Sequence, residues 1–166
     1  MNIGKIDFGD KKAVSELIDD FCEKYAYADI EHVLIISPNG NYFTIAGTKI
    51  SVDTSIIEED NLTGSICVHN HPVPKGKDMG DSFSKYDLGF SAEYKTGTQY
   101  LVSGKRYDSF NYAGNLNRDK IELEYKKAFN ILREQAINGE IDIKQEQEQI
   151  MQILNDILEG FLYEKL

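Results

Sequence analysis

An α/β fold is predicted for this chain: a mixed β-sheet flanked by helices, with a helical extension at the C-terminus. Three observations predict it. Short, β-branched apolar runs such as His32-Val33-Leu34-Ile35-Ile36-Ser37 are interspersed with stretches of helical period. Asn39-Gly40 separates two such runs, and that pair tolerates the positive φ of a tight hairpin turn. The 166 residues are 41% hydrophobic and 28% charged, the size and balance of one soluble domain with a sizeable core.

From Asp10 to about Tyr27, Val14, Leu17, Ile18, Phe21 and Tyr25 recur at helical spacing, with Asp10 placed to cap the helix. The run from His32 to Ser37 predicts a buried strand. Pro38-Asn39-Gly40-Asn41 turns the chain, Tyr42 to Ala46 returns, and Lys49 to Val52 is expected to form another short strand. Ser65-Ile66-Cys67-Val68 predicts a fourth strand, running directly into His69. Two prolines and two glycines make Pro72 to Phe83 a loop, and Ser84 to about Tyr94 is expected to be helical. Thr98–Val102 and Arg106–Tyr112 predict a second hairpin around Ser103-Gly104-Lys105. From Leu116 onward the pattern is helical to the end, broken near Asn138-Gly139. Ile143, Ile150, Ile153, Leu154, Ile157, Leu158 and Phe161 line one side of the second tail helix. These elements divide the chain into residues 1–115 and a helical hairpin over 116–166.

The formal net charge is −10, and no basic stripe with interleaved aromatics is present. Nucleic-acid binding needs cationic contacts that displace phosphate counterions, so a nucleic-acid partner is not expected. No apolar run is long enough to span a membrane. The N-terminus lacks the basic start and apolar stretch of a signal peptide, which makes the cytoplasm the expected location. Cys22 and Cys67 form no Cys-x-x-Cys pair and both read as buried thiols. The tail's apolar stripe can pack on the parent domain or carry a homo-oligomer.

One stretch, residues 65 to 87, carries the chemistry: "SICVHNHPVPKGKDMGDSFSKYD". Alternate residues of a strand face the same side, so His69 and His71 can present both imidazoles to one point. A catalytic zinc takes three protein ligands and keeps one position open, so the pair needs a third donor, commonly a carboxylate. Asp87 can supply it if the loop folds back. Asp81 is the alternative, without a serine three positions earlier. The same letters also describe a plain loop followed by a capped helix, because Ser84 and Asp87 stand at capping-box spacing. Cap and ligand are compatible.

His69-Asn70-His71-Pro72 followed by Ser84-Lys85-Tyr86-Asp87 resembles the JAB/MPN metalloprotease family, also called JAMM, and in particular its prokaryotic RadC-like and phage-associated branches. The resemblance covers roughly residues 10 to 112. It implies a cytidine-deaminase-like α/β fold, with zinc held by His69, His71 and Asp87. It also implies that Ser84 donates to the oxyanion and that an upstream glutamate serves as general base for the hydrolytic water. Glu31 matches that glutamate by position, with Glu58 and Glu59 as alternatives. The implied reaction is hydrolysis of a peptide or isopeptide bond in a protein or peptide partner. The loop between His71 and Asp87 is longer than in compact members and could gate a peptide. The competing expectation is a non-catalytic MPN-type interaction module.

Other chemistries lack their residues. The letters His-Asn-His resemble the HNH nucleases, but those spread the three residues over a larger ββα-metal unit. There is no Pro-Cys-x-x-Cys of a zinc deaminase, no His-Glu-x-x-His and no Gly-x-Ser-x-Gly elbow.

Overall fold

A computed structural model describes residues 1–112 and 117–166. The expected boundary between residues 115 and 116, and the expected helix start at Leu116, lie outside the described residues. The chain forms an α/β fold: a mixed sheet of seven strands and four α-helices among the described residues. In order these are β1 (Asn2–Lys5), α1 (Lys11–Tyr25), β2 (His32–Ile36), β3 (Asn41–Ala46), β4 (Ile66–Asn70) and α2 (Lys85–Tyr94). They continue with β5 (Thr98–Ser103), β6 (Arg106–Tyr112), α3 (Arg118–Ile137), α4 (Ile143–Ile157) and β7 (Phe161–Lys165).

The strands lie in the order β1-β3-β2-β4-β5-β6-β7. β4 and β5 run parallel, and α2 is the crossover between them. Strand pleat sorts the core into two layers. Leu34, Ile36 and Val68 face α1, where Val14, Ile18 and Phe21 cover them. Their neighbours Val33, Ile35 and Cys67 face the opposite side, towards Phe90 and Tyr94 of α2. Further along that side, Leu101 and Phe110 pack with Phe83, Leu88 and the buried stripes of α3 and α4. The α2 side is therefore where alternate residues of β4 emerge, beginning with Cys67.

Local chemistry explains the ends. Asp10 accepts from the Lys12 and Ala13 amides and caps α1. Gly40, at φ +85°, closes the β2–β3 hairpin, a conformation that any side chain would strain. Both cysteines are free thiols; burial pushes Cys22 up to about 11 and Cys67 up to about 12.

Two expectations are corrected. Lys49–Val52 is not a strand: the Thr48 amide and hydroxyl both turn back to the Ser51 carbonyl, so the segment folds on itself instead of pairing. The tail does not stay helical either. Phe161 belongs to β7, which pairs antiparallel with β6, Phe110 opposite Tyr163. Gly160 at φ +85° lets the chain reverse there, and the apolar period of α4 carries past that break only by coincidence. Within the expected stripe, Ile150, Leu154 and Leu158 are buried and Ile157 is exposed, while the Ile143 side chain is outside the described set. Strand β1, on the far edge, was not foreseen, since Asn2–Lys5 has no apolar alternation to mark it. Among the described residues, no helix is long and apolar enough to cross a membrane.

Candidate metal centre

His69 sits on the last turn of β4's pleat and His71 just past the strand's end. Both belong to the Cys67 side, so their rings face α2; the ring centroids are 5.0 Å apart. β4 is held in place on both flanks, by Val33 opposite His69 on β2 and Leu101 beside it on β5. The His71 backbone continues that register: its N–H donates to the Val102 carbonyl at 3.1 Å and its carbonyl accepts from Ser103 Oγ at 2.9 Å.

Asp87 comes from the first turn of α2, which starts at a capping box. Ser84 Oγ accepts from the Tyr86 and Asp87 amides, and the Asp87 carboxylate accepts from the Ser84 amide at 2.6 Å. The box turns Asp87 towards the histidines. Its Oδ1 lies 3.2 Å from His69 Nε2 and its Oδ2 lies 3.5 Å from His71 Nε2. One ligand atom from each of His69, His71 and Asp87 falls within 4.8 Å of the others, so the group could hold a metal ion. Asp81, the alternative third ligand, is exposed and outside that group.

The donors fit a metal in a second respect. His69 Nε2 is buried yet aligned with no hydrogen-bond partner, although Asp87 Oδ1 is near. A buried imidazole nitrogen left without a partner is costly, and a metal ion satisfies it. Electrostatics are coupled across the cluster. Burial would raise the Asp87 carboxyl, but the adjacent His69 and His71 overcome it and hold Asp87 well below the ordinary carboxylate range. Burial would lower His71, but Asp87, Glu31 and Asp81 together raise it.

Glu31 precedes β2, one step beyond the paired His32, and lies beside the histidines in a cavity of about 460 Å³. Its carboxyl is raised above the ordinary glutamate range, chiefly by burial, with His71 and His69 pulling the other way. Two clamps hold the strand end. The Glu31 amide donates to Thr48 O at 2.7 Å, and the Gly47 amide donates to Glu31 O at 2.8 Å. On the other side Asn70 imitates a strand: its Oδ1 accepts from the His32 amide at 2.7 Å and its Nδ2 donates to Ile30 O at 3.0 Å. Glu58 and Glu59, the alternative bases, are exposed and do not line the cavity. His32 turns away and stacks on Tyr25, centroids 4.0 Å apart.

Asn70 is the positioning residue that sequence reasoning passed over as loop-like. The signal was available, since a residue between two same-facing histidines must point the other way, to the opposite face of the sheet. The cavity wall comes from Ile50 and Val52, within the segment expected to be a strand, from Thr54 just beyond it, and from Tyr86 and Phe90 of α2. The long loop is tied elsewhere: the Gly80 amide donates to Ser103 O, the Lys105 amide donates to Asp78 O, and Met79 bridges Gly104. No residue from Pro72 to Phe83 lines the cavity, so the loop does not form its wall.

Ser84 serves the centre through the cap. Replacing it with alanine is expected to destabilise the protein by about 1 kcal/mol, with threonine restoring most of the loss. Urea unfolding of the metal-free variants measures this; an unchanged midpoint for Ser84→Ala would contradict the capping role. Compared with known protein families, curated proteins and solved structures, the chain finds no match in any of the three.

Proposed function

We propose that the chain is a zinc-dependent hydrolase of JAB/MPN type, cleaving a peptide or isopeptide bond in a protein or peptide partner. The observation that supports it most is the convergence of His69, His71 and Asp87 on one wall of an open cavity that also holds Glu31. Two imidazoles and one carboxylate suit zinc and leave one of four tetrahedral positions free. A zinc ion held by these three side chains would supply Lewis acidity, bringing the pKa of water towards neutrality and polarising the scissile carbonyl.

The chain's own groups then divide the remaining work. Glu31, beside the histidines in the cavity, accepts the proton of the attacking water and returns it to the amine nitrogen as the C–N bond breaks. The Ser84 hydroxyl donates to Asp87 Oδ2 at 2.8 Å in the resting arrangement. Rotating that O–H towards the developing oxyanion leaves Asp87 Oδ2 still held by the Ser84 amide, so the ligand stays in place.

The cavity also argues a side-chain preference. Val33, Val52, Cys67 and Phe90 line it, with the exposed Ile50 and Tyr86 beside them, and no lysine or arginine among them. An apolar side chain next to the scissile bond gains burial there, whereas an acidic one meets no lysine or arginine on these walls and loses its hydration. Peptides with leucine or methionine at that position are expected to be cleaved about tenfold or more faster than matched aspartate peptides. Competition kinetics on paired peptides tests this, and equal rates would remove the preference.

The proposal itself is tested by elemental analysis of tag-free protein, followed by a peptide-hydrolysis screen. Near one zinc per chain with turnover supports it. Absence of zinc after loading and removal of excess would sink it. A second reading, a non-catalytic MPN-type interaction module, has its own observation: the single Ser84 hydroxyl proton is already given to Asp87. Stoichiometric zinc with no turnover of any peptide would favour that module.

A further inference from the structure

Ser82, Phe83 and Ser84 deliver the chain into α2 and so set where Asp87 stands. Each of the first two is held from outside the metal centre. The Ser82 amide donates to Gln147 Oε1 on α4 at 2.8 Å, and its hydroxyl donates to Asp108 Oδ2 on β6 at 2.7 Å. Phe83 is fully buried between the His69 ring, centroids 5.8 Å apart, and Phe110 at 4.7 Å. Phe110 in turn packs on Phe161 of β7 at 5.2 Å. A continuous path of contacts therefore runs from the last strand of the chain to a metal-ligand ring.

The Asp108 carboxylate is itself fixed. It is 0% exposed, and Arg106 Nη1, equally buried, lies 3.2 Å from its Oδ2. A buried ion pair is a poor source of stability, because desolvation offsets most of the attraction. What this pair does provide is an oriented acceptor beneath Ser82. Gln147 provides a second acceptor, for the Ser82 backbone amide. With both made, Ser82 is held at its amide and at its hydroxyl, and the next residue, Phe83, stands against His69.

We infer that the C-terminal segment, through Gln147 and Phe161, is the positioning device of the metal centre. This rests on the zinc site proposed above. Gln147 touches neither ligand nor cavity; it is a positioning residue acting through Ser82. Metal sites require their donors held to about 0.5 Å by the groups behind them, and loss of such support typically weakens metal binding by about 10- to 100-fold.

The test uses the full chain and four proteins: wild type, Gln147→Leu, Gln147→Glu and Val14→Ala. The last opens a cavity in the separate α1 layer and controls for lost stability. Zinc affinity is read by competition with a chromophoric chelator, and ligand geometry by the visible absorption of the cobalt(II)-loaded protein. Gln147→Leu is expected to bind zinc about tenfold more weakly and to change the cobalt bands. Gln147→Glu keeps an oxygen acceptor for the Ser82 amide and recovers both, while Val14→Ala loses stability with wild-type affinity and spectrum. Wild-type behaviour of Gln147→Leu would overturn the inference. So would a Gln147→Glu variant as weak as leucine, or a Val14→Ala variant that shifts affinity equally. A wild type that takes up no zinc overturns the centre itself, and is recognised as such before any variant is compared.

Discussion

His71→Ala is expected to lose zinc altogether and, with it, the heat stability that zinc confers. The wild-type site offers three donors within 4.8 Å of one another; removing His71 leaves one imidazole and one carboxylate, too few to compete with water. Because ion binding favours the folded chain, free zinc at 100 times its dissociation constant stabilises the wild type by about 2.7 kcal/mol. For a chain of this size that is a rise in melting temperature of roughly 5 to 10 °C. The variant should show no rise at the same zinc concentration. Differential scanning calorimetry with and without zinc decides it, alongside elemental analysis. A variant that still gains the full shift would mean that zinc binds elsewhere.

The second large effect is catalytic. Glu31→Gln keeps the size of the side chain and removes its capacity to take a proton, so zinc content should remain near wild type, since Glu31 is outside the ligand group. Turnover of a cleaved peptide is expected to fall by about 10²- to 10⁴-fold, the usual contribution of a positioned general base. The sign of the pH dependence follows from protonation. A raised carboxyl holds its proton to higher pH than an ordinary glutamate, and a protonated Glu31 cannot accept another. Bound zinc would add a positive charge beside Glu31 that pulls its carboxyl back down against burial. In the zinc-loaded wild type, kcat/KM should therefore decline as pH falls and Glu31 takes up its proton. Glu31→Gln should lack that decline. Zinc lost together with turnover would instead assign Glu31 a structural part in the centre.

The donors of the candidate centre were legible because their signals are local. His69 lies on a strand whose apolar residues announce it, and His71 follows just past its end in the same alternation. Ser84 with Asp87 stands at the spacing of a capping box, which the structure contains in full. The capped first turn is what aims Asp87 at the histidines. Glu31 had no such local mark. Its place beside them depends on the antiparallel register of β2 with β4, Val33 opposite His69, and on Asn70 clamping the backbone on either side of it.

The errors share a cause. Lys49–Val52 is apolar enough to resemble a strand, but a strand exists only where another chain segment is free to pair with it, and Thr48 and Ser51 close on each other. Phe161 continues the helical period of α4 by residue type, yet the unpaired edge of β6 offers it a ladder.

By itself, then, the sequence determined which residues can donate to a metal, where α1 and α2 begin and which faces of the strands are apolar. Those follow from side-chain chemistry and from periods of 2 and 3.6 residues, which neighbouring residues establish among themselves. Tertiary structure decided which acid joins the histidines, which segment walls the cavity, and that the C-terminal strand completes the sheet behind the site. Each of these requires groups distant in sequence to meet, and that is settled by strand register and competition for hydrogen bonds, which no local pattern encodes.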